Sequence, residues 1–189
     1  MMSQVPIQPT DASAPPDCGF EHGLPHIDAA GFREALACAA TAVTVIATDG
    51  PAGRAGVTCS AVCSVSDTPP TVLFCVNRRS AANSVIKTNG FLSVNWLHAR
   101  QTEVSQLFSG AGQVPMRERF NDAHWQPSVH GVPYRTDALI SLDCRIASEL
   151  EIGTHSVFVA HVLNARRTNG VDPLVYCQRA YTTTHPTQS

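Results

Sequence analysis

Apolar and polar positions along this chain change period several times, and each change marks an element. Phe32, Ala35, Leu36, Ala39 and Ala40 recur three to four apart, the spacing of one buried helix face, and Asp28 stands where an N-cap belongs. Val43 to Thr48 is a short β-branched run followed by the turn residues 49–53 (Asp-Gly-Pro-Ala-Gly), which predicts a hairpin whose second arm runs from Arg54 to about Thr58. Residues 66–70 (Ser-Asp-Thr-Pro-Pro) predict a break that points the chain outward, and Thr71 to Val76 a strand buried on both faces. Ser80 caps a predicted helix from Ala81 to about Thr88. Leu92, Val94 and Trp96 alternate with Ser93 and Asn95, a strand signature, and Gln101 to Phe108 reads as a helix with Val104, Leu107 and Phe108 on one side.

Gly110 to Tyr134 loses periodicity and mixes charge, Pro and Gly with Met116, Phe120 and Trp125, so a long excursion over one end of the fold is expected, of a kind that is often functional. Ile140, Leu142, Cys144 and Ile146 alternate with Ser141, Asp143 and Arg145 in a further strand. Gly153 marks a bend, Ser156 to Leu163 a strand, Asn169-Gly170 a turn, and Leu174 to Cys177 the last strand. About seven short strands with peripheral helices and no strand–helix–strand alternation favour a mainly β fold, an antiparallel barrel, over a doubly wound parallel sheet.

Length and charge narrow the function classes. The 189 residues suffice for one domain with a real core, read as residues 27–185 behind a flexible tail, residues 1–26, rich in Pro, Ser, Asp and Gln. A net charge of −2 with no basic stripe disfavours a nucleic-acid partner, and no apolar run nears the roughly 20 residues of a membrane helix. The N-terminus lacks a signal-peptide pattern, so a cytoplasmic protein is expected. Of the seven cysteines, Cys38, Cys63, Cys75, Cys144 and Cys177 lie in apolar sequence, which fits buried free thiols in a reducing compartment. The eight histidines are scattered, and Cys59 and Cys63 lack a second ligand pair, so no metal site is expected.

Three segments are candidates for chemistry. Thr58, Ser60, Ser64 and Ser66 place hydroxyls every other residue over most of this stretch, which on one strand share a face. Such a row suits a neutral, hydrogen-bonding ligand with a phosphate at one end, and equally an edge strand with a solvated face. Residues 77–80 (Asn-Arg-Arg-Ser) follow a buried strand and open a helix, where an anion would meet amides and two guanidinium groups; a capped helix with solvated arginines is the other reading. His155, in residues 153–156 (Gly-Thr-His-Ser), could hold a cofactor, donate a proton or fill a turn. There is no Rossmann fingerprint, P-loop or nucleophile elbow.

Residues 56–77 (GVTCSAVCSVSDTPPTVLFCVN) resemble the signature of the short-chain flavin reductase family, the reductase components of two-component flavin-dependent monooxygenases. Residues 49–56 (DGPAGRAG), 91–95 (FLSVN), 107–110 (LFSG), 118–120 (ERF), 153–155 (GTH) and 179–181 (RAY) extend the resemblance over about Phe32 to Tyr181. Within the family the likeness is to groups serving 4-hydroxyphenylacetate hydroxylation and pyrimidine-ring degradation. The resemblance implies an FMN-binding split β-barrel of Greek-key antiparallel strands, a homodimer with sites near the subunit interface. It implies hydride transfer from NADH or NADPH to FMN or FAD, the reduced flavin passing to a separate monooxygenase. A non-enzymatic flavin- or haem-binding split-barrel protein is the alternative. A flavin-dependent oxidase on the same barrel ranks lower, because Arg78–Arg79 and Arg166–Arg167 are the visible basic pairs.

Carried over by position, the resemblance puts Thr58 and Ser60 at the ribityl and phosphate region, with Cys59 between them in the same cofactor-binding stretch. Ser64, Val65 and Ser66 would meet the isoalloxazine edge, and Cys75, Val76 and Asn77 would line the pocket. Ser80 and Asn83, with Arg78 or Arg79, would hold the phosphate. His155 would position the nicotinamide, and Arg179 and Tyr181 would approach the same cleft. Thr154 stands where many members have Asp.

Overall fold

The computed structural model describes residues 26–185, so all but the last residue of the expected tail lies outside the described residues. The chain begins with α1 (Ala29–Ala37), capped by Asp28, whose Oδ1 accepts the Gly31 amide at 2.7 Å. Strands β1 (Thr41–Ala42), β2 (Thr44–Thr48), β3 (Ala55–Cys59), β4 (Val62–Asp67) and β5 (Pro70–Asn77) follow, then α2 (Ala81–Asn89) and β6 (Phe91–Trp96). Next come α3 (Thr102–Ser109), two short 3-10 turns at Ala111–Gln113 and Met116–Phe120, and the small hairpin β7 (Trp125–Pro127) and β8 (Pro133–Arg135). The long strands β9 (Ile140–Ile152) and β10 (His155–Arg167) precede the short β11 (Val175–Cys177) and β12 (Ala180–Thr182).

Seven strands form one sheet in the order β3-β2-β6-β9-β10-β5-β4, with every neighbouring pair antiparallel. Its two end strands, β3 and β4, are joined by only Ser60 and Ala61, so the sheet has to roll until its edges meet. Beside this link the Ala61 carbonyl accepts the Cys75 amide at 3.0 Å, extending the β4–β5 ladder, and the Cys59 thiol at the end of β3 donates to the Cys75 carbonyl at 3.3 Å, bringing β3 against β5. The result is the split barrel that the resemblance implies.

Ile46, Phe74, Val76, Ile86, Leu92, Val94, Cys144 and Phe158 fill one core, with Phe74 stacked on Phe158 at 4.9 Å between ring centres. A second core on the other side of β2 holds Val43, Val45, Leu97, Phe108, Phe120, Trp125 and Leu174. Lying between the two, β2 is buried at every residue. Its threonine hydroxyls therefore donate to carbonyls, Thr44 to Cys59 and Thr48 to Phe91, both at 2.6 Å.

Several sequence expectations need correction. The helix α1 forms but stops at Ala37, short of Ala39 and Ala40, and none of its residues is buried: Phe32 is 53% and Leu36 55% exposed, so no described residue covers the periodic face. Residues 66–70 do break the chain, and all five are exposed. They close a tight β4–β5 hairpin in which Asp67 pairs with Pro70, with the Thr68–Pro69 peptide cis. Residues 56–66 are not one hydroxyl-bearing strand, because the chain breaks at Ser60–Ala61 and its halves become the sheet's opposite edges.

The excursion from Gly110 to Tyr134 supplies core. Phe108, Phe120 and Trp125 form a mutual cluster with ring centres 4.9 to 5.3 Å apart, and Arg135, 4% exposed, is paired with Asp122 and Asp137 at 2.8 Å. The strands β9 and β10 run thirteen residues each, longer than the alternation suggested, and their shared hairpin leaves Leu150 and Ile152 exposed. Asp143 on β9 is fully buried and held by both terminal guanidinium nitrogens of Arg166, at 3.0 and 3.2 Å. Cys38 and Cys63 are exposed, against the expectation of buried thiols, whereas Cys144 is buried. Among the described residues no helix is long and apolar enough to cross a membrane.

Candidate functional site

Where β3 comes against β5, the end of β3, the end of β5, the start of α2 and the start of β10 surround a cavity of about 220 Å³. Thr58, Cys59, Ser60, Cys75, Val76, Asn77, Ser80 and His155 all line it, together with Val57 and Ala61. Residues far apart in sequence converge because β5 and β10 pair in register, with Asn77 opposite His155. A larger hollow of about 490 Å³ shares Asn77 and adds Arg78, Arg79, Gly153 and Thr154. A third, of about 290 Å³, shares Thr58 and Ser60 and adds Val43, Ser105, Ser109, Tyr176 and Tyr181. Through these common residues the three adjoin as one tract.

Local hydrogen bonds fix its cationic end. The Asn77 side chain accepts the Arg79 amide at 2.9 Å, its carbonyl accepts the Ser80 amide at 2.9 Å, and the Arg78 amide reaches the Thr154 carbonyl at 2.9 Å. The Ser80 hydroxyl then caps α2 by accepting the Ala82 amide. Arg78 is engaged by Glu151 at 2.8 Å, whereas the Arg79 guanidinium has no partner among the described residues. One arginine is thus committed and the other free, beside the positive end of a nine-residue helix. The Nδ1 of His155 lies 2.9 Å from the Thr154 hydroxyl, which fixes how the exposed ring is turned.

At the opposite end, the Thr58 hydroxyl donates to the Ser105 carbonyl at 2.6 Å, and the Ser105 hydroxyl meets the Tyr181 hydroxyl at 2.9 Å. The middle of the tract is neutral. Burial pushes the Cys59 thiol up to about 11, and burial, with the Cys63 thiol nearby, raises Cys75 as well. Both stay protonated near neutral pH, so neither is an activated nucleophile. Among the described residues no carboxylate lines any of the three hollows. A donor-rich wall with guanidinium at one end can bind a phosphorylated, planar ligand and orient it.

Other residues singled out from sequence stand outside the tract. Ser64, Val65 and Ser66 lie exposed on the edge strand β4, Val65 at 55%. Asn83 is 4% exposed, and its amide nitrogen lies 3.1 Å from the Val76 carbonyl and 3.0 Å from the Ser156 hydroxyl, so it braces the floor from below. Arg179 lines a separate hollow with Glu34, Ala37, Cys38 and Gln178. It belongs to the two-residue turn between β11 and β12, where Gln178 and Arg179 both take positive φ, 50° and 61°. Sequence reasoning missed Ser105, Ser109 and Tyr176. Ser105 is one polar residue on an amphipathic helix, and nothing in its spacing marks it.

Known proteins agree with this architecture. Residues 36–185 match the flavin reductase like domain. The FMN reductase (NADH) RutF of Stutzerimonas stutzeri strain A1501 is 46% identical over 150 residues, covering 79% of this chain and 85% of its own length. The protein of the same name from Escherichia coli O1:K1 / APEC is 44% identical over 167 residues, 88% of this chain and 86% of its own. Among solved structures, BorF, the flavin reductase component of a bacterial two-component tryptophan halogenase, superposes with a TM-score of 0.78 at 28% identity, over 85% of this chain and all of its own. The flavin reductase PheA2 in its native state gives 0.76 at 29% identity, with the same coverage. With a family match over most of its length, on an antiparallel sheet whose strands β3, β5 and β10 line the tract, this chain belongs to the flavin reductase like domain family of oxidoreductases.

Proposed function

We propose that this chain oxidises NADH and reduces FMN, and that the reduced flavin leaves for a separate monooxygenase. The observation that carries the reading is the carboxylate-free tract that runs from the Thr58 and Ser60 hydroxyls to the unpaired Arg79. Its donor set fits a flavin nucleotide: hydroxyls for the ribityl chain and guanidinium groups with the Ser80 turn for the phosphate. Cys75, Val76 and Asn77 flank the ring system, and Asn83 supports them through the Val76 carbonyl. The bound flavin supplies the redox chemistry, as hydride acceptor from the nicotinamide. The chain's residues bind and align. His155 and Tyr181 position the nicotinamide, and no general acid is needed.

The names of the two FMN reductases (NADH) support FMN and NADH as the preferred pair, and BorF's role as a reductase component supports delivery to a partner enzyme. FAD and NADPH are proposed as secondary substrates. Ser64, Val65, Ser66 and Arg179 are assigned to a rim that a second subunit completes, in keeping with the apolar face of α1, which no described residue covers. The six free described thiols support a cytoplasmic location.

The test is a steady-state matrix of FMN and FAD against NADH and NADPH. The fastest turnover is expected with FMN and NADH. Absence of flavin-dependent NADH oxidation in every cell of that matrix overturns the reading and favours a non-enzymatic flavin- or haem-binding protein.

A further inference from the structure

Glu151, near the end of β9, belongs to no lining of the tract, yet it touches the tract's cationic end. Its Oε2 accepts the Arg78 Nε at 2.8 Å, and its Oε1 accepts the Ser156 hydroxyl at 2.8 Å and the Lys87 ammonium. Arg78 is further tethered by Nη1 to the Gly153 carbonyl at 3.3 Å. The Arg78 and Glu151 side chains are 56% and 39% exposed, so water screens their pairing and an incoming dianion can replace it. Arg79, one residue on, makes no such contact among the described residues. The tract therefore ends in two guanidinium groups of the same charge, of which one is already spoken for.

We propose that Glu151 is an internal competitor for the flavin phosphate, occupying Arg78 while the tract is empty and releasing it when phosphate arrives. The proposal rests on the reading that the phosphate sits at Arg78 and Arg79. Glu151 acts through Arg78 and is a positioning residue. Lys87, then Ser156 and Arg78, hold its carboxyl below the usual carboxylate range, so it is ionised throughout the neutral range. Binding phosphate at Arg78 then exchanges one ion pair for another instead of adding a new one. The net attraction is smaller than two free arginines would give. A reductase that hands on its flavin needs such a moderated grip, since a tightly held product would limit turnover.

The test compares FMN with riboflavin, which lacks the phosphate, by measuring both dissociation constants on the full chain. Glu151→Gln keeps the shape and an oxygen for Ser156, and Lys87 retains Glu149 at 3.5 Å as a partner, so the fold should hold. The expected result is FMN binding about two- to fivefold tighter with riboflavin unchanged. Glu149→Gln removes the same charge without touching Arg78 and should leave the FMN-to-riboflavin ratio as in the parent chain. An unchanged ratio in Glu151→Gln, or an equal change for both ligands, overturns the proposal. An equal shift in Glu149→Gln also overturns it, since the effect is then one of general charge. Arg79→Ala separates the two levels of failure. If the ratio is insensitive to Arg79 as well, the phosphate reading itself is wrong. If Arg79→Ala weakens FMN selectively while Glu151→Gln is inert, only the competitor role falls.

Discussion

The hydroxyls of Ser105 and Tyr181 meet at 2.9 Å, and the backbone carbonyl of the same Ser105 takes the Thr58 hydroxyl at 2.6 Å. One buried helical residue thus ties β3, which carries one wall of the tract, to β12, the last strand. Tyr181 stands far along the chain from Thr58 and reaches the site through Ser105.

That linkage makes Tyr181→Phe informative. It strips the Ser105 hydroxyl of its partner at a fully buried position, which costs about 1 kcal/mol or somewhat more. Ser105→Ala combined with Tyr181→Phe should cost less than the sum of the two, because no orphaned hydroxyl remains. If Tyr181 positions the nicotinamide, Tyr181→Phe raises the KM for NADH and leaves that for FMN nearly unchanged. Equal increases for both substrates in steady-state kinetics would count against that role.

His155 pairs with Asn77 across β5 and β10 and lines the 220 Å³ cavity, its ring turned by the Thr154 hydroxyl. His155→Ala should raise the NADH KM by about tenfold, the scale of one lost positioning contact, with a smaller effect on FMN affinity. Thr154→Val keeps the ring but frees its rotation, and a smaller rise of the same kind is expected. A collapse of flavin affinity alone would place His155 on the flavin instead.

Gly56 shows why the excursion matters to the site. A Cβ at this position would lie 2.6 and 2.8 Å from two ring carbons of Phe108 and 3.1 Å from Phe120. The cluster of Phe108, Phe120 and Trp125 therefore packs directly on the β3 backbone, two residues before Thr58. Gly56→Ala should destabilise by about 1–3 kcal/mol through overpacking, read as a lower denaturation midpoint at unchanged slope. A midpoint matching that of the parent chain would mean that the rings yield without strain.

How much of this was legible depended on range. Local signals read true: Asp28 and Ser80 do cap helices, and the turn at residues 49–53 does join β2 to β3. The even spacing of Thr58, Ser60, Ser64 and Ser66 misled, because alternation defines a face only while the strand continues, and Ser60–Ala61 ends it. Asn83 looked like a phosphate ligand by position, but its amide is committed to Val76 and Ser156, a pairing visible only once α2 packs on β5 and β10. Ser105 was invisible for the same reason, since its two partners arrive from β3 and β12.

The helix α1 was legible, but it ends before Ala39 and Ala40 and its expected buried face is exposed, with Phe32 and Leu36 above half and Ile27, just before it, at 67%. An apolar face that no described residue covers is a candidate association surface. The chain is expected to sediment as a dimer, and the pair Phe32→Ser and Leu36→Ser should shift it toward monomer with circular dichroism unchanged. A parent chain that sediments as a monomer at micromolar concentration would remove the basis for that expectation.

The buried thiols give the fold an alkaline limit. Burial raises Cys59 from 9.0 to about 11, and burial together with the neighbouring Asp143 charge raises Cys144 from 9.0 to about 12. Below pH 9 folded and unfolded chains both keep these protons, and the thiols add no pH dependence. Above it the unfolded chain releases protons that the folded chain retains. The unfolded state then binds fewer protons, and stability falls as pH rises from 9 toward the folded values. The limiting slope is about 1.4 kcal/mol per pH unit for each thiol. Urea midpoints at about pH 8 and about pH 10 should therefore differ measurably, and Cys144→Ala should flatten the decline while leaving the Cys59 share. A parent midpoint that stays level across that interval, or a variant with the parent's slope, would mean that Cys144 titrates in the folded chain as it does in the unfolded one.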